Sequence, residues 1–93
     1  MKLPVNYNNL HFTERREVRN EYAKLQEGKC WHCGQPLSGR ASEDVLTKWV
    51  DVRRFPRNFF SWPVHLHHDH DTGMTIGAVH CDCNAVLWQY HGS

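Results

Sequence analysis

Apolar residues recur at helical spacing between Thr13 and Gly28, and at strand spacing from Pro63 onward. In the first stretch Val18, Tyr22 and Leu25 fall at i, i+4 and i+7 among strong helix formers. Thr13 suits an N-cap, acids come early and Gly28 supplies a stop, so a helix is predicted over Glu14 to Glu27. Residues 1–12 are polar, rich in Asn and without period, which reads as an extended arm. Pro63-Val64-His65-Leu66-His67 alternates as a strand, Asp69 to Gly73 is turn-like, and Met74 to Val79 returns as the second arm of a hairpin. A short helix follows from Asn84 to about Tyr90, opened by Asp82 or Cys83 and stopped by Gly92. The predicted order is helix, knuckle, long insert, hairpin, helix, an α+β chain without repeats.

Length and composition narrow the class. The 93 residues make one small domain, and 40% hydrophobic content with four Trp argues for a folded core. No apolar run approaches the roughly 18 residues of a membrane span. Met1-Lys2-Leu3-Pro4-Val5-Asn6 lacks the apolar centre of an export signal, so the expected compartment is the cytoplasm. Four cysteines in a reducing compartment read as thiolate ligands rather than disulfides. The net charge of +1 hides an asymmetry. Residues 1–62 hold all eleven Lys and Arg against seven acids, whereas residues 63–93 hold three Asp and no Lys or Arg. The first part can grip phosphates and the second can hold cations.

Two constellations carry chemistry. Cys30-Trp31-His32-Cys33, within a knuckle at 28–37, presents two thiolates from one tight turn. The second pair for a closed zinc site must come from His80-Cys81-Asp82-Cys83. His80 with Cys83 repeats the x2 spacing; Cys81 with Cys83 gives four sulfurs at x1 spacing. The first is favoured, leaving Cys81 as a small core residue. The other constellation is His67, His68 and His70 beside Asn84. One imidazole can bind a cation while another stays free as a base near neutral pH, and Asn84 offers an amide oxygen. In a regular strand His65 and His67 face one way, Leu66 and His68 the other, a rule that relaxes where the strand ends. The insert at 38–62 interleaves Trp49, Phe55, Phe59 and Phe60 with Arg53, Arg54 and Arg57. There the aromatics are expected to pack, and at least one arginine to meet phosphate. Arg15, Arg16 and Arg19 lie off the helix's apolar stripe, as a solvated face or a second polyanion contact.

The run Leu66-His67-His68-Asp69-His70-Asp71-Thr72-Gly73 with Ile76-Gly77-Ala78-Val79-His80-Cys81-Asp82-Cys83-Asn84 resembles the HNH endonucleases of the His-Me finger superfamily. It is most similar to the branch typified by the phage recombination endonuclease VII. The likeness covers residues 28–92 in outline and is tightest over 64–84. It implies a treble-clef-like zinc fold whose segment 63–92 is a ββα-metal motif, and a DNA phosphodiesterase. In that pattern His68 is the general base that activates water. His67 and Asn84 hold one catalytic divalent cation, and His70 contacts the scissile phosphate or polarises the site. Cys30, Cys33, His80 and Cys83 hold the structural zinc. The branch commonly has Asp where this chain has His67, so Mn²⁺, Ni²⁺ or Co²⁺ should serve beside Mg²⁺. It also has Cys where His80 stands, and an Arg in the hairpin return replaced here by Thr75-Ile76-Gly77, which shifts phosphate contact to Arg53, Arg54 or Arg57. A short chain of this kind is expected from a phage, acting on DNA in the bacterial cytoplasm, as a homodimer, with partner proteins, or reading little sequence. A zinc-dependent binding module without catalysis, or a zinc-stapled structural protein, is the competing class.

Overall fold

Why the first helix begins where it does is set by its cap. The computed structural model describes residues 2–91, and α1 runs Phe12–Leu25. His11, not Thr13, is the N-cap: its Nδ1 accepts from the Thr13 N–H, and the Glu14 carboxylate accepts the His11 N–H at 3.0 Å. This reciprocal capping starts the helix earlier than the Thr13 signal suggests. At the other end Glu27 and Gly28 both take positive φ, and the Gly28 N–H closes on the Ala23 carbonyl at 2.7 Å.

Val18 and Tyr22 are buried as expected, but Leu25 is 66% exposed. The inward stripe continues from Tyr22 to Gln26 instead. The Gln26 amide acts as a strand partner, donating to the Ala78 carbonyl and accepting the Ala78 N–H, each at 2.9 Å. That approach needs Gly77: a Cβ there would stand 2.8 Å from Gln26 Oε1 and 3.0 Å from Trp31 Cβ. Gly77→Ala is expected to destabilise the protein by about 1–3 kcal/mol, since the Gln26 amide is tied to both Ala78 backbone groups and the Trp31 Cβ is fixed to its own main chain. Urea unfolding checks this; an unchanged midpoint would disprove the tight fit.

The hairpin pairs β1 (Val64–His68) with β2 (Thr75–His80) in antiparallel register. Ala78 and Val79 are both fully buried, so both faces of β2 are covered rather than one. The last helix, α3 (Cys81–His91), follows β2 directly and begins earlier than expected; its proposed stop at Gly92 lies outside the described residues. The core gathers where α1, the hairpin and α3 meet, with Val18, Tyr22, Leu66, Val79 and Val86 at its centre.

Two connections shape the surroundings of the hairpin. The N-terminal arm folds back rather than extending: Thr75 N–H donates to the Val5 carbonyl and Tyr7 N–H to the Gly73 carbonyl. The insert carries one short α-helix, α2 (Glu43–Leu46), and two 3₁₀ turns, Val52–Arg54 and Phe59–Ser61, and is fastened to the end of α3. Gln89 and Tyr90 both donate to the Trp49 carbonyl, and Gln89 accepts the Asp51 N–H. Phe55 is buried against Phe59, Phe60 and Trp88, so these phenylalanines pack as expected, whereas Trp49 is 69% exposed and does not. No helix among the described residues is long and apolar enough to cross a membrane.

Candidate metal centre and histidine cleft

The knuckle is built by its backbone. Leu37 N–H donates to the Gly28 carbonyl and Cys30 N–H to the Gln35 carbonyl, while Gly34 takes positive φ to turn the chain. Trp31 N–H then bonds the Ala78 carbonyl, which lays the knuckle against β2. The result brings Cys30, Cys33, His80 and Cys83 together, with all four ligand atoms within 4.8 Å of one another. Cys30 Sγ lies 3.6 Å from Cys83 Sγ, and His80 Nδ1 lies 3.5 Å from Cys33 Sγ and 3.7 Å from Cys83 Sγ. A tetrahedron built on zinc's usual bond lengths has sulfur–sulfur edges of about 3.8 Å and sulfur–nitrogen edges of about 3.6 Å. The donor set and its spacing therefore fit a structural metal such as zinc.

The tautomer of His80 is fixed from outside the cluster. Its Nε2 lies 2.8 Å from the Pro36 carbonyl, which can only accept, so Nε2 carries the proton and Nδ1 offers its lone pair inward. The contact between the Cys30 and Cys83 sulfurs holds the Cys30 thiol well below its ordinary range, and the same contact, with burial, pushes Cys83 up. Cys81 is buried, lies outside the cluster, and is raised by burial, which suits a core thiol.

On another side of the hairpin lies a cleft of about 600 Å³, with His68, His70 and Asn84 in its lining and α1 contributing Arg15, Arg16 and Arg19. The strand register slips between His67 and His68, since His67 faces Gly77 and His68 faces Thr75. His68 lines the cleft, while His67 is 2% exposed with its ring 5.6 Å from Trp31. The four catalytic candidates thus separate: His68, His70 and Asn84 share the cleft, and His67 is not part of its lining.

His68 is held in a stack. Tyr7 from the folded-back arm lies parallel at 3.8 Å and 4°, the Arg15 guanidinium caps Tyr7 at 3.9 Å, and His70 sits 4.8 Å away. Burial lowers the His68 pKa below the usual histidine value, His70 adds to this, and the Leu66 backbone works against it. The neutral, proton-accepting imidazole is therefore the form present at pH 7.

Asn84 is oriented by a residue outside the four candidates. His65 Nε2 lies 2.8 Å from the Phe59 carbonyl and must donate to it, leaving Nδ1 to accept from Asn84 Nδ2 at 3.0 Å. Burial lowers the His65 pKa, consistent with that neutral ring. The Asn84 side-chain oxygen consequently points away from His65, and it is buried with no partner among the described residues. An unsatisfied buried carbonyl costs about 1–3 kcal/mol, so something is expected to meet it. His67 also has its pKa lowered by burial, with the Asn84 side chain opposing, which favours a neutral ring. Strand alternation pointed at His65 only as a neighbour of His67. Its place in a strand, three residues before His68 and facing a helix start, was the one signal for its role.

The arginines of the insert lie elsewhere. Arg53, Arg54 and Arg57 are exposed and outside the cleft lining, and Arg53 is paired with Asp51 at 3.0 Å. Comparison with known protein families, with curated proteins and with solved structures finds no match for this chain.

Proposed function

We propose that the protein is a metal-dependent DNA endonuclease of the HNH type, on a treble-clef-like zinc scaffold with a ββα-metal motif. The observation that carries this reading is the Asn84 carbonyl oxygen, buried, without a hydrogen-bond partner among the described residues and turned away from His65, on a side chain that also acts on His67. A neutral imidazole and an orphaned amide oxygen suit a divalent cation of the Mn²⁺ or Mg²⁺ kind, with Ni²⁺ or Co²⁺ also accepted by a nitrogen donor. Such a cation, held by His67 and Asn84, would supply Lewis acidity to a phosphate oxygen and to the departing 3′-oxygen.

The chain's own groups do the rest. His68, neutral and exposed to the cleft, takes a proton from water as it attacks phosphorus. Tyr7 fixes the plane of that ring, so the lone pair keeps its direction. Arg15, Arg16 and Arg19 meet the negative charge of the phosphates and make no ion pair among the described residues. The structural zinc, on this reading, pins the start of α3 and with it Asn84.

Plasmid DNA incubated with the purified protein and Mn²⁺, Mg²⁺, Ni²⁺ or Co²⁺, against an EDTA control, is the direct test; intact plasmid with every one of these metals would refute the reading. Its pH dependence is also set. Because His68 is held below its ordinary value, the base form persists to lower pH, so cleavage should climb through an acid limb centred below about 6.5 and be level at neutrality. A limb centred above neutrality would exclude His68 as the titrating base.

The burial of His67, which lines no part of the cleft, favours a second reading: a zinc-dependent DNA-binding module that uses the same arginines. Binding without cleavage in the plasmid assay selects it.

A further inference from the structure

The walls of the cleft carry more aromatic surface than phosphate binding needs. Phe12, at the start of α1, is 70% exposed; Trp62, just before β1, is 61% exposed; Trp88, on α3, is 41% exposed. All three line the cleft together with the three α1 arginines, and no carboxylate is in that lining. Neither Phe12 nor Trp62 belongs to the core cluster, so packing does not explain either of them. Trp88 instead backs His70, edge to face at 4.5 Å.

The charged component has an unmet demand of its own. Arg15 Nε is buried with no hydrogen-bond partner among the described residues, and its guanidinium sits over Tyr7, which in turn stacks on His68. An anion received by Arg15 would stand beside the proposed base. Arg16 and Arg19 extend the same basic wall along the helix.

We propose that the cleft takes an unpaired strand of DNA, with phosphates met by the α1 arginines and bases stacked on Trp62 and Phe12. The identity of the polymer rests on the nuclease reading above; its single-stranded form rests on the aromatic walls. A duplex hides the faces of its bases inside the stack and presents phosphates and groove edges, which would leave Trp62 and Phe12 without partners. An unpaired base offers a π-face to any aromatic side chain, whatever its sequence. Stacking of this kind tolerates every base, so the cleft would read strandedness rather than sequence. The lack of any carboxylate in the lining lets the backbone enter without like-charge repulsion.

The test uses the full-length His68→Ala protein, which should bind without cutting. Fluorescence anisotropy is measured with a labelled oligodeoxynucleotide, alone and annealed to its complement, at fixed salt. The single strand is expected to bind on the order of tenfold more tightly than the duplex. Trp62→Ala and Phe12→Ala, both at exposed sites and checked by circular dichroism, should each weaken single-strand binding by about five- to tenfold and leave duplex binding unchanged. Arg16→Ala should weaken both. Equal or tighter duplex binding, or single-strand affinity indifferent to both aromatic substitutions, overturns the proposal. The plasmid assay keeps the two ideas apart. Duplex plasmid cleavage with no single-strand preference removes this proposal and leaves the nuclease; single-strand preference without cleavage by the unsubstituted protein removes the nuclease and keeps the strand-binding cleft.

Discussion

Denying metal to the Cys30–Cys33–His80–Cys83 cluster, which could hold a structural ion such as zinc, or replacing Cys83 by serine, is expected to unfold the chain. Cys83 is fully buried, and its sulfur joins the knuckle to the first turn of α3. The remaining structure is thin: among the described residues, one two-stranded hairpin, which is marginal by itself, and one small core to which the hairpin, α1, α2, α3 and the loops between them each give a few residues. Domains of this size have a net stability of about 5–15 kcal/mol, and structural zinc in small domains contributes about 10–16 kcal/mol. Removing such a contribution leaves nothing to hold the fold. Metal analysis should find about one zinc per chain, and chelation should abolish the far-UV dichroism of α1 and α3 together. A chelated protein that still unfolds cooperatively, within about 1 kcal/mol of the untreated one, would remove the cluster from the account of stability.

On the proposed nuclease reading, His68→Ala is expected to lower DNA cleavage by about 10²–10⁴-fold, the usual contribution of a positioned base, while the melting temperature changes little. The separation is expected because His68 faces the cleft and its main contact is the Tyr7 ring, a stack of about 0.5–1.5 kcal/mol, small beside the metal cluster. Asn84→Ala should produce a comparable loss of cleavage together with weaker Mn²⁺ binding by calorimetry, since it removes the orphaned oxygen. Unchanged turnover in His68→Ala, with fold and DNA binding intact, would end its role as base. Unchanged Mn²⁺ affinity in Asn84→Ala would end the proposed cation site while leaving the zinc cluster untouched.

The parts of this protein that announce themselves in the sequence are those whose chemistry needs fixed spacing. Cys30-x2-Cys33 and His80-x2-Cys83 pair on spacing alone, because a tetrahedral ion constrains which side chains one turn can offer. The hairpin was legible through the alternation before His67 and the turn residues after it. What escaped was structure made by polar groups. Residues 1–12 have no apolar period, so their return along β2, through Val5 and Tyr7 backbone bonds, left no trace. Leu25 had the hydrophobic spacing, yet Gln26 took the inward place because two backbone groups of Ala78 needed partners. His65 looked like a strand residue and proved to be the group that orients Asn84. The arginines of α1 and of the insert were equal on composition, and only the tertiary placement of α1 put the former at the cleft.

The parallel Tyr7–His68 rings tie chemistry to the chain's leading segment. Three hydrogen bonds clip that segment to the turn end of β2, and the ring beside them lies flat on the imidazole. A bulky attachment to that segment would therefore act on the ring as well as on the core, against which Leu3, Val5 and Tyr7 also pack. The N-terminal arm and the His68 imidazole are mechanically a single part.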